Sequence, residues 1–131
     1  MKVEPAVVLD ASAVLAYLQR ETGFEKVSDA LAEGAAISSV NLAEVLSKVS
    51  AKGKDSHGVA SRLQALGLEV VAFSEEDAHG VAKLYPLTRS KRLSLGDRAC
   101  LALGSRLTLA VLTADRSWAS FDLGIRIDLL R

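Results

Sequence analysis

This 131-residue chain is defined first by scarcity. It has one cysteine, Cys100, one methionine and two histidines, His57 and His79. A single thiol closes no internal disulfide, and no spacing of Cys and His resembles a zinc ligand set, which fits a chain kept in a reducing cytosol. The six aromatics, Tyr17, Phe24, Phe73, Tyr85, Trp118 and Phe121, are too dispersed to form a stacking platform for bases. Tyr17 and Trp118 read as core or interface residues, and Cys100 as a buried structural thiol on an apolar helix face. Net charge is also lacking, because 16 basic residues cancel 16 acidic ones, so uniform basicity does not argue for nucleic-acid binding. No apolar run reaches 18 residues and no secretory pattern follows Met1, so neither membrane insertion nor export is expected. The nine glycines form neither G-x-G-x-x-G nor a P-loop, and no nucleophile motif accompanies His57 or His79, both read as surface residues.

What is present is a chain that is half hydrophobic, enough for one core but too short for an eight-fold barrel. Short apolar runs alternate with segments of helical period, which predicts a three-layer α/β domain with a mostly parallel sheet of four to five strands. The strands are expected at 6–9, 35–37, 68–73, 109–112 and 125–127, and the helices at 12–20, 24–33, 40–51, 59–66, 75–84 and 95–106. Gly34, Gly53 and Gly67 mark helix ends, as does Pro86. One domain over residues 1–131 accounts for the whole pattern.

Four acids stand at informative places. Asp10 follows the first strand, at the carboxyl edge where open α/β sheets hold ligands, although an aspartate there also caps the next helix. Asp115 repeats this arrangement after the fourth strand. Glu44 borders the apolar stripe of its helix, four residues before Lys48, with which it would otherwise form an exposed ion pair. Asp97 completes a Ser94-x-x-Asp97 capping box. A parallel sheet would bring all four to one edge. Two carboxylates about 4 Å apart repel by on the order of 4 kcal/mol at an intermediate dielectric, so such a cluster demands protons, basic groups or a cation. Carboxylates without Cys or His suit Mg²⁺ or Mn²⁺, ions that activate water against phosphodiesters.

At these residues the chain resembles the PIN-domain family, and in size and motif order the VapC-type toxins of toxin–antitoxin pairs. The resemblance rests on Val7-Val8-Leu9-Asp10-Ala11-Ser12-Ala13, on Ser38-Ser39-Val40-Asn41-Leu42-Ala43-Glu44-Val45-Leu46, on the stretch from Leu93 to Leu103 around Asp97, and on Leu112-Thr113-Ala114-Asp115-Arg116-Ser117-Trp118. It implies a PIN-like fold and a metal-dependent endoribonuclease. Asp10, Glu44, Asp97 and Asp115 would be the catalytic and metal-binding acids, with Ser12 and Thr113 as supporting polar residues. It also implies a cognate antitoxin, a homodimer and a cytoplasmic location. Gly96 stands where many relatives carry alanine, a change read as conservative, although it loosens the first helical turn.

From Lys83 to Arg106 six basic residues face one acid, a local strip that leads into the helix of Asp97. Arg89, Lys91, Arg92 and Arg98 are its candidate RNA contacts. Lys48, Lys52 and Lys54 form a second basic edge near Glu44. Two other function classes stay open: a catalytically silent module whose acids bind a partner's Arg or Lys, and a phosphoacceptor domain using Asp10. The latter is weakened because Asp10-Ala11-Ser12 lacks a neighbouring acid.

Overall fold

The structure is a computed structural model describing residues 4–131. In chain order the elements are β1 (Val7–Leu9), α1 (Ala11–Leu18), α2 (Phe24–Glu33), β2 (Ala35–Ser38), α3 (Ser39–Ala51), α4 (Ser56–Ala65), β3 (Leu68–Val71), α5 (Glu75–Thr88), α6 (Leu95–Leu107), β4 (Val111–Thr113) and β5 (Ile127–Leu129). Single 3₁₀ turns follow α5 at Arg89–Lys91 and β4 at Arg116–Ser120. The five strands form one sheet in the order β3-β2-β1-β4-β5, and every pairing is parallel.

Side chains alternate across a strand, so neighbours in sequence enter opposite halves of the core. Leu9, Ala35, Ile37 and Leu112 meet α1 to α4 on one face, through Val14, Val27, Leu31, Val45 and Leu63. Val8, Ala36 and Val111 meet α5 and α6 on the other, through Val81, Leu84, Ala99, Leu101 and Leu103. This is the expected three-layer α/β arrangement. The central strands read as unbroken apolar runs because both their faces are covered. Trp118 is buried in the second half, stacked on Phe121 with ring centroids 5.8 Å apart, and Cys100 is fully buried there.

Several boundaries differ from the sequence reading, three of them for a visible local reason. Pro86 does not end α5, which continues to Thr88. The ring removes one donor in an exposed last turn, and the Thr88 hydroxyl binds the Leu84 carbonyl at 2.7 Å to hold that turn together. Helix α4 starts at Ser56, three residues earlier than expected, because Asp55 caps it by accepting from the amide of Gly58 at 3.1 Å. Strand β5 runs later, to Leu129, because the turn at Gly124 delays its entry and the Leu130 amide still reaches the Thr113 carbonyl at 2.9 Å.

Candidate functional site

In an open parallel sheet, ligands bind beyond the carboxyl ends of the strands where the strand order reverses. Here the reversal falls between β1 and β4. Asp10 is the first residue past β1 and Thr113 the last of β4, and the pairing of Leu9 with Leu112 sets them side by side. Asp10 is only 5% exposed. Its Oδ1 accepts from the Ala13 amide at 2.8 Å, the cap expected for α1, and its Oδ2 accepts from the Thr113 hydroxyl at 2.5 Å. The Ser12 hydroxyl lies 2.8 and 2.9 Å from the two oxygens. Ser12 Oγ and Thr113 Oγ1 are themselves fixed by the amides of Ala114 and Asp115, each at 3.0 Å. Every donor to Asp10 is neutral, and among the described residues no cationic side chain pairs with it. Burial, aided by the charge of Asp97 and opposed by these hydrogen bonds, pushes the carboxyl from 3.8 up to about 6.

Asp97 forms the expected capping box at the start of α6. Its Oδ2 accepts from the Ser94 amide and its amide donates to Ser94 Oγ, both at 3.0 Å. Glu44 projects from the second turn of α3. Among the described residues it makes no ion pair with Lys48; its Oε1 accepts instead from Asn41 Nδ2 at 2.8 Å. The same Nδ2 reaches the Gly96 carbonyl at 2.9 Å, tying α3 to the first turn of α6. Beneath these acids lies Cys100, whose thiol is pushed well up by burial and then by the charges of Asp10, Asp97 and Glu44. Three of the four predicted acids thus act by charge on one buried thiol, and Asn41 ties the helix of Glu44 to that of Asp97.

Asp115 is placed differently. It is exposed, and its Oδ1 accepts from the amide and hydroxyl of Ser117 at 3.0 and 2.6 Å, capping the 3₁₀ turn. Its link to Asp10 runs through the Thr113 hydroxyl. Among the described residues, no three of His, Cys, Asp and Glu stand close enough together to hold a metal ion in this arrangement. The residue the sequence reading passed over is Asn41, buried at 1% exposure, which an Asn-x-x-Glu spacing on one helix face would have signalled.

The basic strip is less uniform than its sequence suggests. Arg106 belongs to a two-point ion pair with buried Asp77 at 2.7 and 3.1 Å, an acid that precedes the strip in the chain. Arg98 packs its guanidinium 5.1 Å over the Tyr85 ring and reaches the Val81 carbonyl at 3.4 Å. Lys91 lies 5.5 Å over the Phe121 ring. Arg89 and Arg92 are exposed. With Arg62, Lys48, Lys52 and Lys54 line a groove of about 210 Å³ whose lining includes none of the four acids. His57 and His79 are exposed, as expected, and His79 pairs with Glu75 at 3.4 Å.

A parallel α/β domain with a buried carboxylate at its switch point is one class of architecture, and its family is identifiable. The PIN domain model matches residues 7–123, and the chain belongs to the PIN domain family. By sequence, no curated protein matches it. Among solved structures it is similar to a chain of a toxin-antitoxin complex from Klebsiella pneumoniae, at 16% identity and TM-score 0.75, covering 95% of this chain and 98% of that one. It is similar to a chain of DNA-bound VapBC from Salmonella typhimurium, at 17% identity and TM-score 0.76, covering 98% and 100%. A third is VapBC2 from Rickettsia felis, bound to a promoter DNA fragment, at 21% identity and TM-score 0.70, covering 93% and 96%. At these identities the likeness is one of fold.

Proposed function

We propose that this PIN domain is the toxin of a VapBC-like pair, a Mg²⁺- or Mn²⁺-dependent endoribonuclease hydrolysing RNA phosphodiester bonds in the cleft of Asp10, Glu44 and Asp97, with Asp115 at its rim. The observation that carries this reading is Asp10: a buried carboxylate at the switch point, held by neutral donors, with no cation beside it among the described residues. Such a group lacks a positive partner, and carboxylate oxygens fit a hard divalent ion better than zinc. Asp10 and Asp97 would hold the ion, with Glu44 and Asp115 reached directly or through water. When bound, the ion supplies an activated water and stabilises charge on the phosphate.

The chain's own residues do the rest. Ser12 and Thr113 lock the orientation of Asp10. Arg89, Lys91 and Arg92 attract the RNA backbone, and Arg98, held against Tyr85, adds positive field beside Asp97. Similarity to chains of toxin-antitoxin complexes supports a cognate antitoxin as partner, and a homodimer belongs to the same proposal. Among the described residues no helix is long and apolar enough to cross a membrane, and the proposed compartment is the cytoplasm.

The test is cleavage of a labelled RNA by purified protein with Mn²⁺ or Mg²⁺. Activity should vanish in chelator and in both Asp10→Asn and Asp97→Asn; activity that survives any of these would sink the metal site. The absence of a ready-made three-acid cage among the described residues favours one second reading, a silent module whose acids take a partner's Arg or Lys. Inert RNA together with capture of a basic peptide, lost in Asp10→Asn, would establish it instead.

A further inference from the structure

Asn41 is a buried polar residue that this reading leaves unused. It sits on the first turn of α3, in a row whose later members are the core residues Val45 and Val49. A buried amide destabilises unless it is paired, and this one is paired selectively. Its two Nδ2 protons meet two acceptors, Glu44 Oε1 and the Gly96 carbonyl, while Oδ1 is buried without a partner. The amide therefore has one favourable orientation, because turning it over would set Oδ1 against two other oxygens. The Glu44 carboxylate also lies directly over Gly96: a Cβ added there would stand 2.6 Å from both Oε1 and Oε2. Gly96 is thus the space that the carboxylate occupies, so alanine there would be mild for the fold, because the end of the glutamate can move, but would displace the carboxylate.

We propose that Asn41 and Gly96 form a positioning clip for Glu44. The amide holds Oε1, the absent Cβ admits the carboxylate against the first turn of α6, and Oε2 is left free beside Asp97. A glutamate has three side-chain torsions to order, and a clip of this kind settles them before any ion arrives. The inference rests on the metal-dependent reading and adds to it two positioning residues.

The test titrates Mn²⁺ alone, by calorimetry, into the intact wild type, Asn41→Leu, Gly96→Ala, Glu44→Ala and the Asn41→Leu/Glu44→Ala pair, each first shown to be folded by thermal melting in chelator. Asn41→Leu and Gly96→Ala should each weaken Mn²⁺ about 10- to 100-fold, the range for groups that orient ligands. In the Glu44→Ala background, Asn41→Leu should add nothing. Equal weakening in both backgrounds, or none where Glu44→Ala weakens binding, overturns the clip and leaves the metal site standing. Gly96→Ala keeps the test decisive should Asn41→Leu fail to fold. If the wild type binds no Mn²⁺, the metal reading falls, and the clip is judged by NMR. The Asn41 side-chain amide protons should shift and exchange faster in Glu44→Ala and Gly96→Ala, and unchanged signals would overturn it.

Discussion

Asp10→Asn should stabilise the metal-free protein at neutral pH while removing its activity. The folded protein binds a proton at Asp10 more tightly than the unfolded chain does, with a pKa of about 6 against 3.8, chiefly because the carboxyl is buried. A carboxyl raised in this way leaves stability highest below pH 3.8, lowers it as pH rises from 3.8 to 6, and leaves it reduced at higher pH. At about 1.4 kcal/mol per decade, the penalty at pH 7.5 is about 3 kcal/mol. An amide at this position keeps the hydrogen bonds without the charge. Its oxygen accepts from Ala13, and its nitrogen donates to Thr113 Oγ1, whose proton turns toward Ser12, 3.2 Å away. In urea unfolding with chelator present, the variant should therefore gain about 1 to 3 kcal/mol over wild type at pH 7.5, and the gain should disappear below about pH 4. A variant less stable than wild type at pH 7.5, or a difference that does not change with pH, would refute the assignment of Asp10 as an uncompensated buried charge.

Three other outcomes follow from the same geometry. Burial pushes the Asp77 carboxyl up, but the Arg106 hydrogen bonds and the Ser74 amide outweigh it and leave the pKa below 3.8. Asp77→Asn should thus lose about 2 to 3 kcal/mol in neutral urea melts, a deficit that closes as pH falls below 3.8 because only the ionised group gives this stability. Gly67 has φ +123°, and a Cβ there would collide with the Leu31 carbonyl oxygen. Because the obstacle is backbone, Gly67→Ala should cost about 3 kcal/mol or more, and an unchanged melting temperature would contradict the collision. Lys91→Ala with Arg92→Ala should weaken RNA binding by an inactive Asp10→Asn protein and flatten its salt dependence by about 0.7 for each phosphate no longer neutralised; an unaltered slope would remove this strip from the RNA path.

The parts of this molecule legible in its sequence are those governed by local rules. The apolar runs of β1, β2 and β4 declare a sheet covered on both faces, and Ser94-x-x-Asp97 declares the start of α6. What escaped was set by contacts distant in sequence. Arg106 joins the basic strip by position but meets Asp77, 29 residues earlier, in space. Gly96 looks like a loosened helix turn until Glu44, from another helix, is seen lying on it. Pro86 removes the donor to the Ala82 carbonyl, but both residues are exposed, so water can take its place and the helix runs on to Thr88. The metal-binding role proposed for the acids lies beyond either kind of rule, because a ligand set is a property of side-chain arrangement around an ion.

A structural role, as a helix cap or for Glu44 an ion pair, and a chemical role are rival readings of these acids, and the hydrogen bonds explain why they need not compete. A carboxylate has two oxygens. Asp97 gives Oδ2 to the Ser94 amide, Asp115 gives Oδ1 to Ser117, and Glu44 gives Oε1 to Asn41, so among the described residues the second oxygen of each has no partner. The structural bond fixes the side-chain torsions, so little further ordering is required when the free oxygen takes a ligand. Asp10 is the exception among the four, with both oxygens engaged, and it is the deepest buried of them. Its neutral donors orient the charge without neutralising it, which leaves the centre of the cleft short of one positive charge while the chain as a whole has none to spare. On the proposed reading, a cation from solution or from a partner supplies what the fold withholds, and each half-engaged acid has an oxygen to offer it.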